Sequence, residues 1–325
     1  MTMVTRILLA LFAATIASGA TAGAANAQSD WPKRTISLVV PYAPGGYTDL
    51  VGRITARYLE KALGTNVIVD NRAGAGGIIG TQSVAKADPD GYTLCVCSVG
   101  AVSVAPVAQK VQYHPLKDLR PISIVSVIPQ TVIVKKSLPI HSIADLIAYA
   151  KAHPGELKYG SSGAGGLMHY SVALFEVRTG TRLTHVPYKG GAPATVAVVS
   201  GEVDLSFTNM TDALPQIEAD TVRGIAVTSA ERSPFAPRLP TIQEAGVANF
   251  SAESWNGIMA PVGTPAPIVD RLAATFTAMA RDEEIKKAMA NVGATSVSTT
   301  PDEFHKKIAG ELEQWTELVK DLQLK

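Results

Sequence analysis

Residues 37–56, SLVVPYAPGGYTDLVGRITA, set a pattern that the rest of the chain repeats. They read as a buried strand that breaks at Pro41, turns through Pro44-Gly45-Gly46 and restarts as a helix at Thr48 or Asp49. The first N–H groups of such a helix have no partner within it, and its aligned peptide dipoles place partial positive charge at that end. A glycine-rich approach lets a ligand come close to those donors, so the junction is a site for an anion. The same glycines also serve a plain tight turn, and the stretch alone leaves both readings open.

The pattern recurs along the chain. A strand over 67–69 is followed by Gly74-Ala75-Gly76-Gly77 and a helix over 78–86, and the run 92–99 supplies a further strand. A strand over 157–160 leads into Ser161-Ser162-Gly163-Ala164-Gly165-Gly166 and a helix over 167–178 closed by Gly180. An abbreviated version spans 184–200, where Gly190-Gly191 precedes Pro193 in the first turn of a helix. Between these, Ser142 is a natural N-cap for a helix over 143–153. Alternating strands and helices predict an α/β fold of mostly parallel sheets flanked by helices, with ligands bound beyond the carboxyl ends of the strands.

Two further runs organise the whole. ISIVSVIPQTVIVKKS, from Ile122, reads as two strand-like pieces joined around Val127 to Pro129, as if one strand left a domain and entered another. The run 254–260 reads as a strand returning, and an amphipathic helical tail follows from Pro267, with Pro301 opening its last segment. The expected division is residues 28–127 with 253–325 as one domain and 128–252 as the second.

The N-terminus begins with Arg6 and an uncharged run, ILLALFAATIASGA, that ends at Ala25-Asn26-Ala27. That is the form of a secretory signal peptide cleaved after Ala27, and it predicts export. The chain carries 29 Lys and Arg against 28 Asp and Glu with no block of like charge, which argues against a nucleic-acid partner. An exported protein of balanced charge must attract an anion by local geometry. Cys95 and Cys97 share one face of a strand and are expected to be buried free thiols. The six histidines are dispersed, so no metal and no cofactor are expected.

Enzyme readings find little support. Gly74 to Gly80 is one residue too long for a dinucleotide fingerprint, and the next strand ends at Val99-Gly100 without an acid for a ribose. YGSSGAG lacks the G-x-S-x-G spacing of a nucleophile elbow, and no H-E-x-x-H occurs.

The ordered blocks VPYAPGGYTD, VIVDNRAGAGGIIG, DPDGYTL, YGSSGAGGLMHYS, HVPYKGGAPA, GEVDLSFTN and ESWNGIMAP resemble the tripartite tricarboxylate transporter receptors, the Bug family. The resemblance runs over essentially the whole mature chain. It implies a two-domain periplasmic-binding-protein-like fold that captures a small organic carboxylate and delivers it to a membrane permease. A ligand-sensing role toward a sensor kinase is the alternative, and a monomer is expected. The resemblance implies two gripping loops: Tyr42, Ala43, Pro44, Gly45, Gly46, Tyr47, Thr48 and Asp49 in one domain, and Ser161, Ser162, Gly163, Ala164 and Gly165 in the other. Asp49 either braces its loop or accepts from the ligand; His169 either donates to the ligand or caps locally. Tyr188 and Asn209, each at a strand's carboxyl end, are expected as pocket walls. Lys189 is a further anion contact or a solvated side chain, and Trp255 flanks the cleft or belongs to the core.

Overall fold

The computed structural model describes residues 31–321, with side chains described as far as residue 316. The expected signal peptide lies outside the described residues. β1 (Ile36–Val40) leads through the Pro44-Gly45-Gly46 turn into α1 (Tyr47–Leu63), and β2 (Val67–Asn71) leads through a 3-10 turn (Ala75–Gly77) into α2 (Ile78–Ala85). β3 (Thr93–Ser98) runs into a π-helical turn (Gly100–Val104) and the short α3 (Ala105–Ala108). The long β4 (Leu119–Lys135) crosses the molecule and is followed by α4 (Ile143–Ala152), β5 (Lys158–Ser161), α5 (Leu167–Thr179) and β6 (Thr184–Pro187). Then come α6 (Gly191–Ser200), β7 (Leu205–Asn209), α7 (Met210–Glu218) and β8 (Val222–Val227). β9 (Glu253–Pro261) returns, and α8 (Ala266–Arg281), α9 (Glu283–Ala290), β10 (Thr295–Ser296) and α10 (Pro301–Asp321) finish the described chain.

Strand order is β2-β1-β3-β9-β4-β7-β5-β6, with β8 and β10 also paired to β4. Parallel pairing is confined to the outer strands, β2-β1-β3 on one side and β7-β5-β6 on the other. The crossover strands run against them: β9 is antiparallel to β3 and β4, and β4 is antiparallel to β7 and β8. The expected joint at Val127 to Pro129 is no break. β4 is continuous for 17 residues and changes partners there, pairing with β9 through Pro129 and with β7 from Gln130 onward. A proline without an N–H suits a point where one ladder ends and another begins.

Each half of the sheet has its own apolar cluster. Leu38, Val40, Leu59, Ile258 and Phe276 pack on one side, and Val132, Leu146, Phe175, Phe207 and Phe250 on the other. In α1 the buried face is centred on Val51, Ile54 and Leu59, and Gly64 ends the helix in the left-handed conformation at φ 66°. α5 is buried on nearly every side. Val172, Leu174 and Phe175 enter the second cluster, while Leu167, Tyr170 and Ala173 pack with Val99, Val102 and Trp315 of the first lobe. A helix clamped between two lobes has no need of a polar face, and its sequence LMHYSVALFEVRT shows none.

One sequence expectation is corrected here. Cys95 and Cys97 are not free thiols but form a disulfide within β3. Both side chains project from one face of the strand, and their Cα atoms are 5.2 Å apart, within the span a disulfide bridges.

Candidate functional site

Four helices point their N-termini at one cavity, and none of the four is capped by a side chain. The N-cap positions of α1, α5 and α6 are Gly46, Gly166 and Gly190, and that of α7 is Asn209. Two helices away from the cavity, α4 and α9, are capped by side chains in the usual way. Ser142 accepts from the Asp145 amide at 3.1 Å ahead of α4, and Asp282 accepts from the Glu284 and Ile285 amides ahead of α9. The cavity-facing helices thus leave backbone donors open where their partial positive charge concentrates.

The first lobe lines the cavity with Tyr42, Ala43, Gly46, Tyr47, Thr48, Ser98 and Gly100. Facing them, the second lobe supplies Ser162, Leu167, Met168, Gly191, Asn209 and Asp212, and the crossover strands add Gln130 and Ser254. The lobes meet through backbone. The Ala43 amide donates to the Lys189 carbonyl at 3.1 Å, and a Cβ on Gly163 would stand 2.6 Å from the Gly76 nitrogen. Gly100 lies equally close to Leu167, since a Cβ there would come within 2.8 Å of the Leu167 nitrogen. Only glycine at these contacts lets the two halves approach so closely.

Of the expected site residues, Tyr42, Ala43, Gly46, Tyr47, Thr48, Ser162 and Asn209 line the cavity. Pro44 and Gly45 are exposed on the outer side of their turn. Asp49 faces inward to its own loop: its carboxylate accepts from the Gly45 amide, from Arg53 Nε and from Asn71 Nδ2, each at 2.9 Å. Burial alone would raise its pKa, but the hydrogen bonds from Arg53, Gly45 and Asn71 outweigh that and hold it below the usual value. Asn71 also donates to the Tyr42 carbonyl, so this one network fixes both ends of the first turn.

The second turn is held differently. Ser161 is fully buried behind it, 2.6 Å from His185 Nε2, and its Oγ accepts from the Gly163 amide at 3.1 Å. His169 Nδ1 accepts from the Gly165 amide at 3.3 Å. His169 and His185 stack with ring centroids 4.1 Å apart. Burial, and for His185 also the neighbouring His169, favours neutral rings: His169 falls below its ordinary value and His185 is pushed down to about 4. The Ser161 and His185 pair resembles a nucleophile and base, but Ser161 is turned away from the cavity. Ala164 is exposed, and Tyr188 hydrogen-bonds Ser161 through its amide and Glu202 through its hydroxyl, outside the cavity wall. Trp255 lies in the core, edge-on to Phe304 and donating to Glu311.

The titratable groups that line the cavity are Tyr42, Tyr47 and Asp212. Burial pushes Tyr42 up to about 12, and its hydroxyl is engaged with the Gly76 carbonyl and Ser98 Oγ, each at 2.8 Å. Tyr47 is raised further by burial and pairs with Ser126 Oγ. Asp212 is raised to about 7 by burial, a single long contact to Thr208 opposing the shift. Sequence reasoning missed Asp212, Gln130, Ser98, Gly100, Leu167, Met168, Gly191 and Ser254. Gln130 carried a signal, the one side-chain amide in a strand rich in Val and Ile, and Asp212 stands three residues beyond Asn209 at the same strand end.

Two α/β lobes joined by crossover strands, closed over a cavity of open helix N-termini, define a periplasmic solute-binding protein. The chain belongs to the tripartite tricarboxylate transporter family receptors, whose family model, TctC, matches residues 51–324. It is 37% identical to protein BugT of Bordetella pertussis over 97% of each chain. Among solved structures it is similar to R. palustris Rpa4515 with adipate, at TM-score 0.87 and 37% identity, covering 90% of this chain and 99% of that one. MatC from Rhodopseudomonas palustris with bound malate aligns at TM-score 0.85 and 31% identity, covering 89% of this chain and all of the other.

Proposed function

We propose that this protein is exported, holds a small organic acid by a carboxylate between its two lobes, and delivers it to a tripartite tricarboxylate-type permease. The observation that carries this reading is the set of four uncapped helix N-termini around one cavity whose lining includes no Lys, Arg or His. Backbone donors of this kind suit an anion without a fixed counter-charge. Each hydrogen bond to a charged group contributes roughly 1.5 to 3 kcal/mol, so a handful supports micromolar binding after association costs.

The residues assigned to the carboxylate are Gly46, Tyr47 and Thr48 from the first turn and Ser162 with the start of α5 from the second. Asp49 is assigned to bracing the first turn, and Ser161, His169 and His185 to bracing the second. The relatives with adipate and malate support a carboxylate as the ligand. A disulfide within β3 suits an oxidising compartment, in keeping with cleavage after Ala27 and residence in the periplasm. The lobes correspond to residues 28–127 with 253–325 and to 128–252. Entry requires the Ala43 to Lys189 hydrogen bond and the Gly76 to Gly163 contact to part, so ligand shifts an open-to-closed equilibrium.

A thermal-shift screen of small carboxylic acids tests the reading, because a ligand that binds only the folded state raises the melting temperature. A clear rise with some acids is expected; a panel that leaves the melting temperature unchanged would overturn it. Loss of uptake of the same acid on deleting the gene tests delivery.

A further inference from the structure

Three polar groups in the cavity are left without adequate partners, and all three present acceptors, Gln130 offering an unpaired donor as well. Asp212 is 8% exposed. Its one hydrogen bond is from Thr208 Oγ1 at 3.5 Å, at the limit of such a contact. Gln130 is fully buried with neither amide atom bonded, and Asn209 Oδ1 is likewise unpartnered. Folded proteins rarely leave buried polar groups unpaired, and a buried carboxyl without a cation is costly.

We propose that Asp212, with Gln130 and Asn209, forms a second recognition subsite that takes a hydrogen-bond-donating substituent, hydroxyl or ammonium, next to the gripped carboxylate of the ligand. The inference rests on the carboxylate reading of the cavity. Position supports it: Asp212 Oδ1 lies 3.7 Å from where a Cβ on Gly46 would be, so the carboxyl sits beside the donor turn of α1. A group on the carbon adjacent to a carboxylate held at that turn reaches Asp212. Charge supports it too. Either acid brings a carboxylate close to Asp212, but only the substituted one offers its acceptors a donor, and an ammonium also compensates the negative charge there.

Isothermal titration calorimetry on matched acids tests this: succinate, malate and aspartate, then glutarate, 2-hydroxyglutarate and glutamate. In wild type, at least one substituted member of a set is expected to bind about tenfold or more tightly than its unsubstituted counterpart. Comparing malate with aspartate identifies which donor is preferred. In Asp212→Asn, checked for folding by its melting curve, the ratio within each set is expected to fall to about threefold or less, and Gln130→Met is expected to lower it in the same direction. Equal affinities in wild type, or a preference that survives Asp212→Asn, would overturn the subsite while leaving the carboxylate reading intact. Failure of every acid to bind would overturn both.

Discussion

The turn at residues 42–49 and the turn at 161–166 offer the same backbone groups to one cavity, but different chemistry holds them in place. The first is braced by charge, with the Asp49 carboxylate gathering Gly45, Arg53 and Asn71. The second is braced by neutral rings, with His185 on Ser161 and His169 on the Gly165 amide. The first turn also has room at its glycine cap, while the second is pressed against the other lobe. The two halves of the clamp therefore respond differently to added bulk and to acid, although their sequences look alike.

Added bulk gives the largest expected contrast. Gly163 has φ +126°, and a Cβ there would stand 2.6 Å from Gly76 N, so Gly163→Val prevents closure. Affinity is expected to fall by about 100-fold or more, ~2.7 kcal/mol, by calorimetry. Gly46 has φ −86°, and a Cβ would meet its nearest atoms at 3.7 Å, so Gly46→Ala is expected to weaken binding by less than about tenfold. Equal losses at the two sites would break the comparison.

Removing the braces comes next. Asp49→Ala, which strips three hydrogen bonds from a buried position, is expected to lower stability by about 2 kcal/mol in urea unfolding. His185→Phe keeps the stack and loses one hydrogen bond, with an expected cost of about 1 kcal/mol. A larger loss at His185 than at Asp49 would reverse the assignment of the stronger brace.

Acid separates the turns more finely. His185 has a folded pKa near 4 against an ordinary 6.5, so the unfolded chain takes up a proton that the folded one refuses. Its contribution to stability therefore falls as pH drops from about 6.5 to about 4. Asp49 lies below the ordinary 3.8, so its contribution is present above that value and is lost only as pH falls through its folded value. Asp212, raised to about 7, works in the opposite sense: its contribution shrinks as pH rises from about 3.8 to about 7. Because Asp212 and His185 oppose each other in a global melt, the readout is local. At pH 4.5 the Gly163 and Gly165 amides are expected to lose hydrogen-exchange protection relative to pH 7, after correction for intrinsic rates, while the Gly45 amide keeps its own. Loss at all three would contradict the comparison.

Salt gives the smallest effect. With no formal cation lining the cavity, affinity is expected to change by less than about twofold between about 0.05 and about 0.5 M salt. A steep decline would point to a lysine or arginine in the grip.

The glycine turns were legible in the sequence because a glycine immediately ahead of a helix announces an N-terminus left open, just as Ser142 announced a capped one. The alternation of strands and helices likewise made the outer parallel strands legible. Other features depend on distance in the fold. Pro129 looked like an interruption because a sequence does not show that a strand changes partners there. Cys95 and Cys97 were read as thiols, because their place on one strand face does not show how closely β3 brings them together. Asp212 and Gln130 became neighbours of the first turn only through closure of the lobes, so their local signals, a lone amide in a strand and a carboxyl just past a strand end, did not tie them to it. Ser161 was placed in a gripping loop, yet its hydroxyl is taken by His185, a residue 24 positions away.

The central claim is that open helix N-termini hold the ligand's carboxylate. Its most direct test is an amide NMR titration with the acid giving the largest thermal shift. The account predicts that at saturation the amide protons of Gly46, Tyr47 and Thr48 and those at the start of α5 move downfield together, as new hydrogen bonds to an anion form at both turns. Saturable binding that leaves the amides of either turn unmoved would contradict it.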